Sequence, residues 1–125
     1  MRTGTRSRRS AWPRRSPAQA GRDGERFAAL LYLLRGYRVV GRDVRTPHAQ
    51  VDLVCRRGGT LVVVEVKRRR TRGLRDAAAG LSPRQAARLH AAARHLRATC
   101  RWAHAARVDL VAIDGWRVRI RAVRR

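Results

Sequence analysis

The run Thr60–Arg70, "TLVVVEVKRRR", constrains the fold more than any other stretch of this chain. Leu61, Val62, Val63 and Val64 follow one another without a polar break, so neither face of the segment is suited to water. A short strand that is apolar on both faces belongs in the middle of a sheet covered on both sides. At Glu65 the pattern changes to polar residues at alternate positions. Side chains of a strand alternate with period two, so Glu65 and Lys67 point to the same face.

The elements around this strand follow from periodicity and punctuation. "RDGERFAALLYLLRGYR" carries apolar residues at helical spacing from near Arg22 and ends at Gly36, a C-terminal cap. "YRVVGRDVR" and "QVDLVCR" read as two strands, and Gly58-Gly59 supplies a tight turn into the central one. "RRTRGLRDAAAGL" reads as a loop. Ser82 then caps a helix with Pro83 at its first position, running to about Cys100. "ARVDLVAI" is a fourth strand, and Asp114-Gly115 turns into "WRVRIRAV", a last strand with strict alternation. The order α-β-β-β-α-β-β predicts an α/β domain over residues 21–125, a mixed sheet of about five strands flanked by helices. Residues 1–20 contain six arginines and no acid, and read as a disordered basic arm. A targeting peptide is the alternative, although "SRRSAW" is not followed by the apolar segment of a twin-arginine signal. No apolar run approaches the roughly 20 residues needed to cross a bilayer.

The chain carries 31 Lys and Arg against 8 Asp and Glu, a formal net charge of +23. A GC-rich coding bias accounts for arginine over lysine but not for the shortage of acids. The positive field calls for a polyanionic partner, with nucleic acid first; an anionic membrane surface and ribosomal RNA are alternatives. Cys55 and Cys100 form no disulfide framework, which suggests a reducing, cytoplasmic compartment.

Against this background the single lysine stands out. Lys67 is the only lysine of the chain, and Glu25 and Glu65 are its only glutamates. Arginine supplies charge equally well, but it holds its proton too tightly for acid–base work and its planar fork fills a different space. A lysine kept among so many arginines suits a role in geometry or proton transfer; a chance survivor in a solvated basic run is the plainer reading. Asp52 lies in the preceding strand, across the Gly-Gly turn, so a hairpin brings it near Glu65. Two carboxylates on one face repel unless a cation lies between them, and hard oxygen ligands suit Mg²⁺ or Mn²⁺. A lysine beside them can activate a water or neutralise a phosphate.

Asp52, twelve intervening residues, then Glu65-Val66-Lys67 resembles the core motif of the restriction-endonuclease-like PD-(D/E)xK nucleases. With "GRDGERFAALLYLLRGYRVVGRDVR", "QVDLV", "LVVVEVKRR", "SPRQAARLHAAARHL" and "RVDLVAI", residues 21–113 resemble the poorly characterised bacterial YraN family, related to Holliday-junction resolvases. The resemblance implies a restriction-endonuclease-like fold and a metal-dependent DNA endonuclease of the structure-specific kind, with branched or junction DNA as substrate and a homodimer as the working form. It implies metal ligation by Asp52, Glu65 and the backbone carbonyl of Val66, with Glu25 facing the metal through water and Lys67 as the catalytic lysine. Arg68, Arg69, Arg70 and Arg84 would contact the nucleic acid. Asp109 would be structural, holding Arg107. The chain departs from the family pattern at Gln50, where an acid is usual, at Asp43, where asparagine is usual, and at Arg84 in place of lysine. The Gln50 departure leaves open a different class, a non-catalytic DNA- or RNA-binding protein with a degenerate nuclease fold. Among other candidates, His90, His95, Cys100 and His104 lack zinc-site spacing. Cys55 reads as core, and Trp102 and Trp116 read as packing residues before base-stacking ones.

Overall fold

The computed structural model describes residues 17–69 and 81–124. The segment containing Arg70 and the first sixteen residues of the basic arm lie outside the described residues. The elements are α1 (Pro17–Leu34), β1 (Arg38–Arg45), β2 (Gln50–Arg57), β3 (Thr60–Arg69), α2 (Pro83–Thr99), β4 (Ala105–Asp114) and β5 (Arg117–Ala122). Helix α1 starts at Pro17, ahead of the Arg22 start that periodicity indicates, and so takes in the last four residues of the stretch read as an arm.

The five strands form one sheet in the order β1-β2-β3-β4-β5. Neighbours pair antiparallel except β3 and β4, which run parallel. A parallel pair cannot be closed by a hairpin; it needs a crossover, and α2 lies in that crossover. The arrangement is the restriction-endonuclease-like α/β fold, a mixed sheet with a helix on each face.

Strand β3 is central as its composition requires, with Leu61, Val62, Val63 and Val64 fully buried. Its alternate residues enter two different cores. Val62 and Val64 join Leu53, Cys55 and Val111 beneath Ala28, Ala29 and Tyr32 of α1. Leu61 and Val63 join Val108 beneath Leu89, Ala92 and Ala93 of α2. Each such aliphatic side chain stabilises the fold by roughly 1.5–3 kcal/mol through burial.

Both helices end as their punctuation predicts. Gly36 adopts φ +89°, a left-handed conformation that costs a residue without Cβ little. Its N–H donates to the Leu33 carbonyl at 3.0 Å and the Tyr37 N–H donates to the Tyr32 carbonyl at 2.9 Å, a Schellman cap. At the start of α2, Ser82 Oγ accepts from the Gln85 N–H while the Ser82 N–H donates to Gln85 Oε1, both at 3.1 Å. Reciprocal bonds of this kind satisfy two otherwise orphaned donors.

A polar network crosses the core under α1. The Tyr32 hydroxyl donates to Asp109 Oδ2 at 2.6 Å. Arg107 donates to both carboxylate oxygens of Asp109, at 3.0 and 3.1 Å, and to the Tyr37 hydroxyl at 2.7 Å. Asp109 is 2% exposed, the one buried charged residue described. A buried carboxylate survives only when it is paired and hydrogen-bonded, and here Arg107 and Tyr32 do both. The expectation that Asp109 holds Arg107 matches this arrangement.

Candidate metal centre

The ladder between β2 and β3 runs from Arg57 opposite Thr60 to Leu53 opposite Val64. One further step of that register sets Asp52 opposite Glu65. At this point a side chain takes over from the backbone: the Val66 N–H donates to Asp52 Oδ2 at 2.7 Å. The bond satisfies a strand donor and fixes the Asp52 carboxylate at the edge of β3. Glu65 and Lys67 share a face as period two requires, and Lys67 Nζ lies 3.6 Å from Glu65 Oε2.

Asp52 is the hub of the acids. One of its oxygens lies within 4.8 Å of a carboxylate oxygen of Glu25 of α1, and the Asp52 charge acts on both Glu25 and Glu65, so the site is crowded with negative charge. Burial, with the Asp52 charge second, pushes Glu65 up to about 7, against a smaller opposing pull from Lys67. Burial, then Asp52 and Asp43, pushes Glu25 up to about 7 as well. Burial also raises Asp52, despite the lowering effect of the Val66 N–H.

Asp43 is the member that sequence reasoning missed. The carboxylate oxygens of Glu25, Asp43 and Asp52 lie within 4.8 Å of one another, a group able to hold a metal ion. Glu65 stands next to this trio because the hairpin register sets it opposite Asp52. The signal was available in the hairpin: Arg42 pairs with Leu53 and Val44 with Val51, so Asp43 falls across from Asp52. The backbone there has φ +48°, a left-handed conformation that Asp and Asn tolerate better than other residues with a side chain. That explains why the resemblance expects Asn at this position and why Asp can stand in for it.

On the α2 side, Glu65 opens into a cavity of about 210 Å³ walled by Ala49, Gln50, Gln85, Arg88 and Leu89. Gln50, the departure from the family pattern, therefore lies beside Glu65, and its neutral amide removes one charge that an acid would add. The cation facing this cavity is Arg88, one turn beyond Arg84, which is exposed in the first turn of α2. Arg68 is exposed and its side chain reaches toward Gly24 of α1, so it leaves β3 on the side opposite Lys67. Arg69 ends β3, and the position of its side chain is outside the described residues. Among the described residues no helix is long and apolar enough to cross a membrane.

A family model described as "Uncharacterised protein family UPF0102" matches residues 24–113. The chain is similar to a UPF0102 protein of Parvibaculum lavamentivorans, 52% identical over 91 residues that cover 72% of this chain and 65% of that protein. One from Caulobacter vibrioides is 44% identical over 80 residues, 64% of this chain and 62% of its own. One from Oleidesulfovibrio alaskensis is 34% identical over 108 residues, 86% of this chain and 54% of its own. The matched part thus spans between about half and two thirds of these relatives. The family match takes in Glu25 and the rest of α1 after it, the hairpin that carries Asp43 and Asp52, and the strand that carries Glu65 and Lys67, and on that match the chain belongs to the UPF0102, or YraN, family.

Proposed function

We propose that this protein hydrolyses phosphodiester bonds in DNA with the help of a divalent cation, Mg²⁺ or Mn²⁺, held by Asp52, Glu65 and Glu25. The observation that carries the reading is the convergence on Asp52 of Glu25, Asp43 and Glu65, with the chain's single lysine 3.6 Å from Glu65. So many carboxylates in one place are costly without a cation, which is the fit expected of a hard-metal site.

A bound divalent cation supplies Lewis acidity, making a nucleophile available at neutral pH and polarising a phosphoryl oxygen. The protein's own residues do the rest. Asp52 is held in place by the Val66 N–H. In an extended strand the N–H and C=O of one residue project to the same edge, so the Val66 carbonyl is offered on the side where Asp52 lies. Lys67 orients the attacking water and opposes the charge that builds on the phosphate. Glu25 and Asp43 complete the negative wall. Arg68, Arg69, Arg70 and Arg84 supply backbone contacts, which carry no sequence information.

The test compares wild type with Lys67→Arg and Asp52→Ala on linear duplex, single-stranded, flapped and four-way-junction DNA, with Mg²⁺, Mn²⁺ or EDTA. Cleavage by wild type, abolished by either substitution and by EDTA while binding persists, is the expected result. No cleavage of any substrate, with equal binding by all three proteins, establishes the second reading, a non-catalytic nucleic-acid-binding module. The neutral Gln50 beside Glu65 is the observation that favours that reading.

A further inference from the structure

The turn after β4 presents a large aromatic ring to solvent. Trp116 is 86% exposed, the most exposed of the large apolar side chains described. It follows Gly115, whose φ of +64° makes the turn. The Arg117 guanidinium sits 6.0 Å from the centre of its ring. Among the described residues the two hydrophobic cores close without this indole.

Strand β5 continues from it with arginine at every second position. Arg117, Arg119 and Arg121 pair with Asp114, Ala112 and Leu110 of β4. Residues directly opposite on paired strands share a face. Across β4 the register continues into β3, with Ala112 beside Lys67 and Leu110 beside Glu65. Arg119 is therefore in one row with Lys67, and Arg121 in one row with Glu65, all on the α2 side of the sheet. Strands are about 4.8 Å apart, so Arg119 and Lys67 are separated by about 10 Å at their Cα atoms. Along β5 the arginines repeat at about 6.8 Å, so a phosphodiester backbone laid along the strand meets one guanidinium after another. Neither Arg119 nor Arg121 makes a salt bridge to a carboxylate among the described residues. Arg121 also rims a cavity of about 540 Å³ together with Arg94 and Arg124, which extends the positive surface toward α2.

β5 is an edge strand, and charged side chains on an edge discourage pairing with other chains. That role accounts for the arginines taken alone. It does not account for an exposed indole at their end, which adds the apolar surface that edge protection avoids.

We infer that Trp116 and the Arg117–Arg119–Arg121 row form a binding element for an unpaired nucleic-acid strand, the indole stacking on a base and the guanidinium groups holding successive phosphates. Duplex bases are stacked on both faces and offer none to the ring, so the element discriminates unpaired nucleotides from continuous duplex. Its position in line with Lys67 and Glu65 directs that strand toward the metal centre. This last link rests on the nuclease reading; the binding itself does not. The substrate class that follows is nucleic acid with a single-stranded region next to the cleavage point.

The test is equilibrium binding in EDTA, where cleavage plays no part. The probes are a labelled oligothymidylate, the corresponding ribo-oligomer and a duplex of equal length, and the ratio of the first two tells DNA from RNA as the source of the strand. Trp116→Ala is expected to weaken single-strand binding about tenfold and to leave duplex binding within a factor of two or so, while Trp116→Phe keeps most of the affinity. Arg119→Gln is expected to reduce the slope of log affinity against log salt by about 0.7 on the single strand. Melting curves of each variant confirm that an exposed site was changed without loss of the fold. Unchanged single-strand binding by Trp116→Ala, or an equal loss on duplex, overturns the inference. A protein that shows the Trp116 effect but cuts nothing in Mg²⁺ or Mn²⁺ leaves the inference standing and removes the nuclease reading instead.

Discussion

Asp43 holds φ +48° within β1 and places its carboxylate within 4.8 Å of those of Glu25 and Asp52. Two separate demands meet at that position, a left-handed backbone and an oxygen facing the other two acids. Asparagine meets both without the charge, so Asp43→Asn is expected to leave stability intact or raise it slightly in EDTA. Asp43→Ala lacks the local bonding that eases this conformation and is expected to cost about 1–2 kcal/mol. Urea titrations of the two variants separate the outcomes; equal loss in both would show that the carboxylate, not the backbone, sets the residue's contribution. Glu25 and Glu65 give the pH dependence. Both are raised from ordinary glutamate values to about 7, so the folded chain binds their protons more tightly than the unfolded one. Stability from these groups is complete below about 4.5 and declines as pH rises to about 7, then levels. In EDTA the melting temperature should follow that course. Glu65→Gln should flatten it, and Mg²⁺ at pH 8 should restore wild type by binding the folded state alone. A wild-type melting temperature that rises from pH 5 to pH 8 in EDTA would refute the crowding of the acids. At this scale the sequence was legible where residues were rare, as with Lys67, Glu65 and Glu25. It was less so for Asp43, because an acid in "GRDVR" becomes a site residue only once the hairpin register is known.

Helix ends and strand registers decide where these residues stand. Period two and the Gly-Gly turn sufficed to put Glu65 and Lys67 on one face opposite Asp52, because the β2–β3 hairpin leaves no freedom of register. The approach of α1 to the sheet was not legible in the same way. It depends on the Tyr32–Asp109–Arg107–Tyr37 network, which joins residues far apart in sequence. That network fixes α1 two turns beyond Glu25, about 10 Å along the helix axis. Tyr32→Phe leaves Asp109 short of one donor in a buried place and is expected to cost about 1–3 kcal/mol. Because Glu25 rides on the same helix, the rise in melting temperature on adding Mn²⁺ should shrink in this variant too. A full stability loss with an unchanged Mn²⁺ response would show that α1 is positioned by packing alone. At α2 the signals were local: Ser82 and Pro83 announced the cap, and the structure adds Gln85, whose side chain completes a capping box. Ser82→Ala should cost about 1 kcal/mol in the same urea titration. Gln85 also walls the Glu65 cavity, so the cap contributes to the shape of the site as well as to the helix.

For the whole molecule the governing quantity is charge. With 31 Lys and Arg against 8 Asp and Glu, the cations repel one another across a small body, and the compact state concentrates that repulsion. Among the described residues Arg107 is paired with Asp109 and Lys67 with Glu65, which leaves most of the excess charge uncompensated. Added salt shortens the Debye length from about 30 Å at 0.01 M to about 10 Å at 0.1 M, which brings it below the dimensions of a domain of this size. The melting temperature should therefore rise with sodium chloride over that range, steeply at first and then little. Nucleic-acid affinity should move the other way, because each phosphate contacted releases a counterion whose gain falls as salt rises. The two opposite slopes follow from one cause and can be measured on one preparation, by thermal melts of the free protein and by titration of a labelled oligonucleotide. A melting temperature that falls with salt would mean that specific ion pairs outweigh the general repulsion. The excess arginines would then belong to the fold itself rather than to a surface held ready for a polyanion.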